Sequence, residues 1–142
     1  MFGLPPDFCL RVALWAVGLH GVWEYAQVVP LYRCWARWTR WQRIWVLPAA
    51  TLGDAVATVL LTAVTAAILG PGHVRPLSAV GSALLLGLGL GAGLVFETVA
   101  RRLDLWRYKD VMPTIRVAGH HVGLAPVLQM TLLPTLSVWI AG

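Results

Sequence analysis

The chain is short of charge. Of 142 residues only 12% are Asp, Glu, Lys or Arg, and just six are acids. Soluble domains carry about 25% charged residues, and a soluble chain this small buries only roughly 60–70% of the surface it could expose. With 58% hydrophobic residues, its natural solvent is lipid. Cysteine is scarce too. Cys9 and Cys34 form no C-x-x-C pair, so no zinc or dithiol motif is present. About 25 helical residues hold them roughly 37 Å apart, too far for a disulfide. No basic leader with an A-x-A-like cleavage site opens the chain, so the first apolar helix is expected to stay in the mature protein. No linker or low-complexity tail interrupts the apolar pattern.

What is present is four apolar runs, each near the 20 or so residues that cross a bilayer. They lie at about 8–30, 45–69, 77–100 and 119–140. The expected fold is therefore all-α: one polytopic four-transmembrane-helix bundle occupying residues 1–142. Arg33, Arg37, Arg40 and Arg43 fall in the first loop, and Arg101, Arg102, Arg107, Lys109 and Arg116 in the third. Nine of the eleven basic residues thus lie on one side, which predicts that side to be cytoplasmic and both termini outside. The net charge of +5 is accounted for by this placement, and a nucleic-acid partner is rejected.

The first loop also alternates Trp35, Trp38, Trp41 and Trp45 with Arg37, Arg40 and Arg43. That spacing suits a short interfacial helix with cations among anionic headgroups, or a docking surface for a partner. In the third run, Gly87 and Gly91, like Gly89 and Gly93, form G-x-x-x-G pairs. These permit close helix approach or leave room for a flat lipid-soluble ligand. Pro126 and Pro134 are expected to kink the fourth run.

Ionisable residues inside a span are costly and turn toward the protein interior. His20, Glu24 and Gln27 share one helical face. Asp54, Glu97 and Gln129 occupy the other three runs, all at roughly 5–15 Å from the predicted cytoplasmic side. An inward polar pocket is expected there. A carboxyl in such a place can give or accept a proton, which makes Glu24, Asp54 and His20 the catalytic candidates. Gln27, Glu97 and Gln129 are the substrate-binding candidates, joined from the third loop by Trp106 and Tyr108. That loop, Arg101 to Pro113, mixes cations with aromatics and can cap the pocket or contact a phosphate. His120 and His121 sit near the start of the fourth run and His73 in the outer loop. The E-x-x-H signature of di-iron bundles is missing, and no metal site is assigned.

The segments His20 to Gln27 with Pro30-Leu31-Tyr32, Leu52-Gly53-Asp54, Glu97 through Trp106, Tyr108 and Met112-Pro113, and Val122 to Gln129 together resemble the motifs of a group of small bacterial four-span membrane proteins. The resemblance covers most of the chain. It implies the topology and a bacterial inner-membrane location, and it carries no reaction with it. A looser similarity is to small carotenoid-modifying membrane proteins of the heterodimeric lycopene cyclase type. Their paired-acid motif has no counterpart here, since Leu31 follows Pro30.

Three functions follow as expectations. The first is a non-catalytic subunit or assembly factor of a larger membrane complex. The second is a small membrane enzyme doing proton transfer on a polyprenoid-like molecule. The third is an oligomeric proton or cation transporter. The expected partners are membrane lipid, a lipid-soluble small molecule, and membrane proteins or further copies of the chain. The sequence names no substrate and no cofactor.

Overall fold

A computed structural model describes residues 3–142. Four long helices dominate it: α1 (Pro6–Leu31), α3 (Arg40–Leu69), α4 (Ala79–Arg102) and α5 (Leu124–Ala141). A four-residue helix α2 (Cys34–Arg37) and a hairpin of β1 (Thr114–Val117) and β2 (His120–Gly123) fill the connections at one end. α3, α4 and α5 are long and apolar enough to cross a membrane. α1 is long enough at 26 residues, but Arg11, His20, Glu24 and Gln27 dilute its apolar character.

Local chemistry sets the helix limits. Prolines at positions 5 and 6 open α1, where a missing N–H costs nothing. Thr39 and Gln42 form a capping box at the start of α3, with Thr39 Oγ1 accepting from the Gln42 N–H and Gln42 Oε1 from the Thr39 N–H. This box starts α3 five residues before the expected Trp45. Ser78 caps α4 by accepting from the Gly81 N–H at 3.1 Å.

The fourth run differs from expectation. α5 begins at Leu124, not near Gly119, because residues 120–123 pair with 114–117 in an antiparallel hairpin. Ala118 and Gly119 turn it with φ of 48° and 82°, the positive pair that a tight two-residue hairpin turn requires. His120 and His121 therefore sit on a strand. Pro126 falls in the first turn of α5, where no intrahelical hydrogen bond is lost. It does not kink the helix; only Pro134 lies in the interior. The interfacial helix expected of the first loop reduces to α2 and the first turns of α3. Within it Trp35 and Trp38 meet edge to face at 6.0 Å, the Arg43 guanidinium lies 5.2 Å over the Trp35 ring, and Trp41 and Trp45 stay exposed.

α5 is the hub, packing against α1, α3 and α4. Its contact with α4 depends on glycine. The buried stripe of α4 runs Gly81, Leu85, Gly89, Gly93, Glu97. A Cβ at Gly89 would overlap the Met130 carbonyl oxygen, and one at Gly93 would crowd Val127. Gly87 and Gly91 face outward with open space around them. Only one of the two G-x-x-x-G pairs therefore builds this chain's own core.

The interior has two ends. Near the termini, Phe8, Val12, Leu85 and Val138 form an apolar core. At the opposite end, that of the hairpin, Val28, Tyr32, Leu47 and Met112 pack with Trp38, Trp106 and Tyr108. A polar layer lies between them.

Candidate functional site

Gln129 is the centre of the polar layer, 1% exposed at the second turn of α5. Its Nε2 donates to Asp54 Oδ2 at 2.9 Å and Glu24 Oε1 at 3.1 Å, and lies 3.0 Å from His20 Nδ1. Its Oε1 accepts from Gln27 Nε2 at 2.9 Å. Three helices, α1, α3 and α5, thus meet at one side-chain amide. The helical spacing of His20, Glu24 and Gln27 makes this possible, because three- and four-residue steps stack side chains on one face.

The direction of these hydrogen bonds follows from Trp23. Its indole N–H, which can only donate, bonds Gln27 Oε1 at 3.2 Å. Gln27 must then present its NH₂ to Gln129, and Gln129 must present its own NH₂ to the carboxyls. The amide cannot flip without breaking the chain.

Proton arithmetic follows. Gln129 Nε2 carries two hydrogens but has three acceptors within 3.1 Å. Two hydrogens serve two of these neighbours at a time, so the third must find its partner elsewhere in the cluster. His20 Nδ1 is also 3.5 Å from Asp54 Oδ2, and His20 Nε2 is 3.1 Å from Thr58 Oγ1. One arrangement that balances is a neutral His20 with its hydrogen on Nδ1, facing Asp54, and Nε2 accepting from the Thr58 hydroxyl, which leaves the two Gln129 hydrogens to the two carboxyls.

A cavity of about 140 Å³ opens beside the cluster. Glu24, Asp54 and Gln129 form one wall, and Glu97 with Trp106 another. Glu97 Oε1 accepts from Trp106 Nε1 at 2.9 Å, and the Trp106 carbonyl in turn accepts from Arg101. The remaining walls are apolar and aromatic, including Tyr32, Leu47 and Met130. Phe96 (51% exposed) and Val46 (37%) also border the cavity, so its mouth lies between α4 and α3 and faces out of the bundle.

The expected site residues therefore fall into two layers. Glu24, Asp54, Glu97, Trp106 and Gln129 line the cavity. His20 and Gln27 stand behind Gln129. Tyr108 stands behind Tyr32, with its ring edge-on at 5.6 Å and its hydroxyl accepting from the Gly123 N–H at 3.0 Å.

The floor at the hairpin end is pinned to α1. Tyr32 bridges Tyr108, the Lys109 N–H bonds the Leu31 carbonyl at 2.8 Å, and the Arg33 N–H bonds the Arg107 carbonyl at 2.9 Å. Burial, reinforced by the charges of Glu97 and Glu24, pushes the Tyr32 phenol far above its ordinary range, so it stays a neutral hydroxyl. Burial likewise raises the Cys34 thiol, which keeps it protonated and unreactive. Asp104 sits outside the site, held below the usual carboxylate range by its hydrogen bonds to Arg107.

Thr58 was not among the expected residues, although a signal exists. Thr51, Asp54, Thr58, Thr62 and Thr65 recur at three, four and seven residues along α3, and its four threonines are all buried. Tyr32, Trp38 and Leu47 were also missed, because their contribution depends on how the loops fold back. Among the described residues, no group of three or more His, Cys, Asp and Glu side chains has a geometry that could hold a metal ion. No protein-family model, characterised protein or solved structure matches the chain.

Proposed function

We propose that the chain is a four-span protein of the bacterial inner membrane, with its hairpin end toward the cytoplasm, that binds a lipid-soluble small molecule and exchanges a proton with it. The observation that carries this reading is the crowding of three acceptors around the two hydrogens of Gln129 at the wall of an otherwise apolar cavity. A purely structural polar layer needs no cavity beside its carboxyls. The mouth between α3 and α4 would open to the bilayer, the route an apolar ligand takes.

Size limits the ligand. A dry cavity of about 150 Å³ admits a benzene-sized ring, so the comparable space here takes one ring or about one isoprene unit. The rest of a longer molecule would lie along Phe96 and Val46. Glu24 and Asp54 face the space and are the groups that give or take the proton. His20 and Gln129 hold their protonation and orientation, and Glu97, fixed by Trp106, bounds the far side. Protonation of one carbon of a double bond leaves a cation on the other, and loss of a proton from the next carbon beyond it shifts the bond and returns the proton, so no redox partner is consumed.

The test is to purify the protein gently, identify the apolar molecules extracted with it, and incubate the complex in D₂O. Carbon-bound deuterium should enter the ligand with wild type and not with Glu24→Gln, while both stay folded. Equal incorporation by Glu24→Gln would exclude the proton-transfer role.

A second reading, a non-catalytic subunit of a larger complex, is favoured by the open Gly87–Gly91 face of α4, which suits a close helix neighbour. A stoichiometric protein partner with no ligand in the cavity would favour that reading over the first.

A further inference from the structure

A second concavity lies at the hairpin end, bordered by Arg33, Arg101, Arg107, Tyr108, Lys109 and Thr114 together with one acid, Asp110. Its cations differ in what they already hold. Arg33 is paired with Asp110 at 2.6 Å and Arg107 with Asp104 at 2.7 Å. Among the described residues, Arg101 and Lys109 have no carboxylate in salt-bridge reach. They are held by carbonyl oxygens: Arg101 by that of Trp106, and Lys109 Nζ by that of Val29 at 2.7 Å. A carbonyl orients a cation without neutralising it.

Arg101 is also the least satisfied. Its guanidinium lies 4.9 Å over the Tyr108 ring, and its Nε is buried with no hydrogen-bond partner. A buried donor on a charged group without an acceptor calls for a specific explanation. The Tyr108 ring is itself fixed, since its hydroxyl takes the Gly123 N–H and a side chain at Gly123 would collide with it. The guanidinium is therefore held in place, with Nη2 making no hydrogen bond within the described residues, on the same concavity as Lys109.

We propose that this cleft binds a phosphoryl anion, the phosphate of a lipid headgroup or free phosphate, between Arg101 and Lys109. With Nη1 on the Trp106 carbonyl and Nε buried, Arg101 offers its Nη2 hydrogens to a phosphoryl oxygen, and Lys109 adds a point charge. Arg33 and Arg107 flank the site with their carboxylates already satisfied. Occupancy would be felt at the cavity, because Arg101 holds the Trp106 carbonyl and Trp106 holds Glu97. The site stands independently of the proton-transfer reading, since none of its residues lines that cavity.

Ligands that bind only the folded state raise its melting temperature, which provides the test. The full chain is placed in phosphatidylcholine nanodiscs and melted with increasing inorganic phosphate, with chloride at matched ionic strength, and in discs that contain phosphatidic acid. Phosphate or phosphatidic acid should raise Tm saturably, and chloride should not. Arg101→Gln and Lys109→Gln should each weaken the apparent affinity about tenfold, while Arg40→Gln should leave it unchanged. A shift with free phosphate identifies a soluble phosphoryl ligand. A shift confined to phosphatidic acid and lost in the same variants identifies a headgroup. Absence of both shifts, or shifts that survive the substitutions, would overturn the site. Should Arg101→Gln fail to fold, the exposed Lys109 carries the test alone.

Discussion

The apolar core near the termini and the polar layer beside it are built from the same long helices but held together differently. Near the termini, Phe8, Val12, Leu85 and Val138 are buried against one another through apolar contact. Toward the hairpin, the same helices place His20, Glu24, Gln27, Asp54 and Gln129 in one hydrogen-bonded chain. If lipid surrounds the molecule, apolar side chains gain little by leaving it, and the apolar core rests on close packing. The polar layer is specific and costly, because each buried polar atom must keep its partner.

Substitutions that break this contrast differ in size. Gln129→Leu should be the most damaging, costing about 3–5 kcal/mol by stranding a carboxyl pair and a histidine, as read by denaturation in detergent. Val138→Ala at the other end should cost only about 1 kcal/mol, the packing loss alone. Equal costs would mean that the polar layer is ordinary filler.

Glycine sharpens the same comparison along α4. Gly89→Val should cost about 3 kcal/mol, since the added atoms meet the Met130 carbonyl and α4 must move off α5. Gly87→Val, two residues away, meets nothing within the chain and should melt like wild type. Loss of self-association or of a co-purifying partner in Gly87→Val would show that the open face is used.

Trp23→Phe is smaller. It removes the donor that fixes the Gln27 amide and should cost about 1 kcal/mol. Its useful signature is a slower proton exchange with an intact fold, because the Gln129 amide can then turn over. Trp23→Phe with wild-type exchange would show that the amide direction is set elsewhere.

Smallest of all is Asp104→Asn. Arg107 lowers the Asp104 carboxyl in the folded chain, so the pair contributes above the ordinary aspartate value near 3.9 and its contribution is lost as pH falls through the lower folded value. This pair is fully exposed, and its loss should not measurably change the melting temperature at neutral pH.

Much of the site is legible in the order of residues. The steps from His20 to Glu24 to Gln27 fix a single face on a helix, and one polar residue at similar depth in each other run points inward. Chain continuity places the third loop beside Glu97, and Trp106 closes on that carboxyl nine residues later. The hairpin is not legible. Thr114 to Gly123 lacks a strong turn signature such as Asn-Gly, and its apolar residues blend into the following helix. The choice between the two glycine pairs is equally hidden, because both have the same spacing and only the position of α5 distinguishes them.

The sequence by itself determined the apolar runs and the polar stripe on α1, because hydropathy and helical periodicity are local, whereas it put the start of α3 at Trp45, five residues beyond Arg40, where the Thr39 cap begins the helix. Tertiary structure alone decided that Gln129 faces three acceptors with two hydrogens, that Arg101 is left with a free donor, and that Gly89 rather than Gly87 is buried. Those outcomes depend on distances between residues far apart in the chain, and no local spacing encodes them.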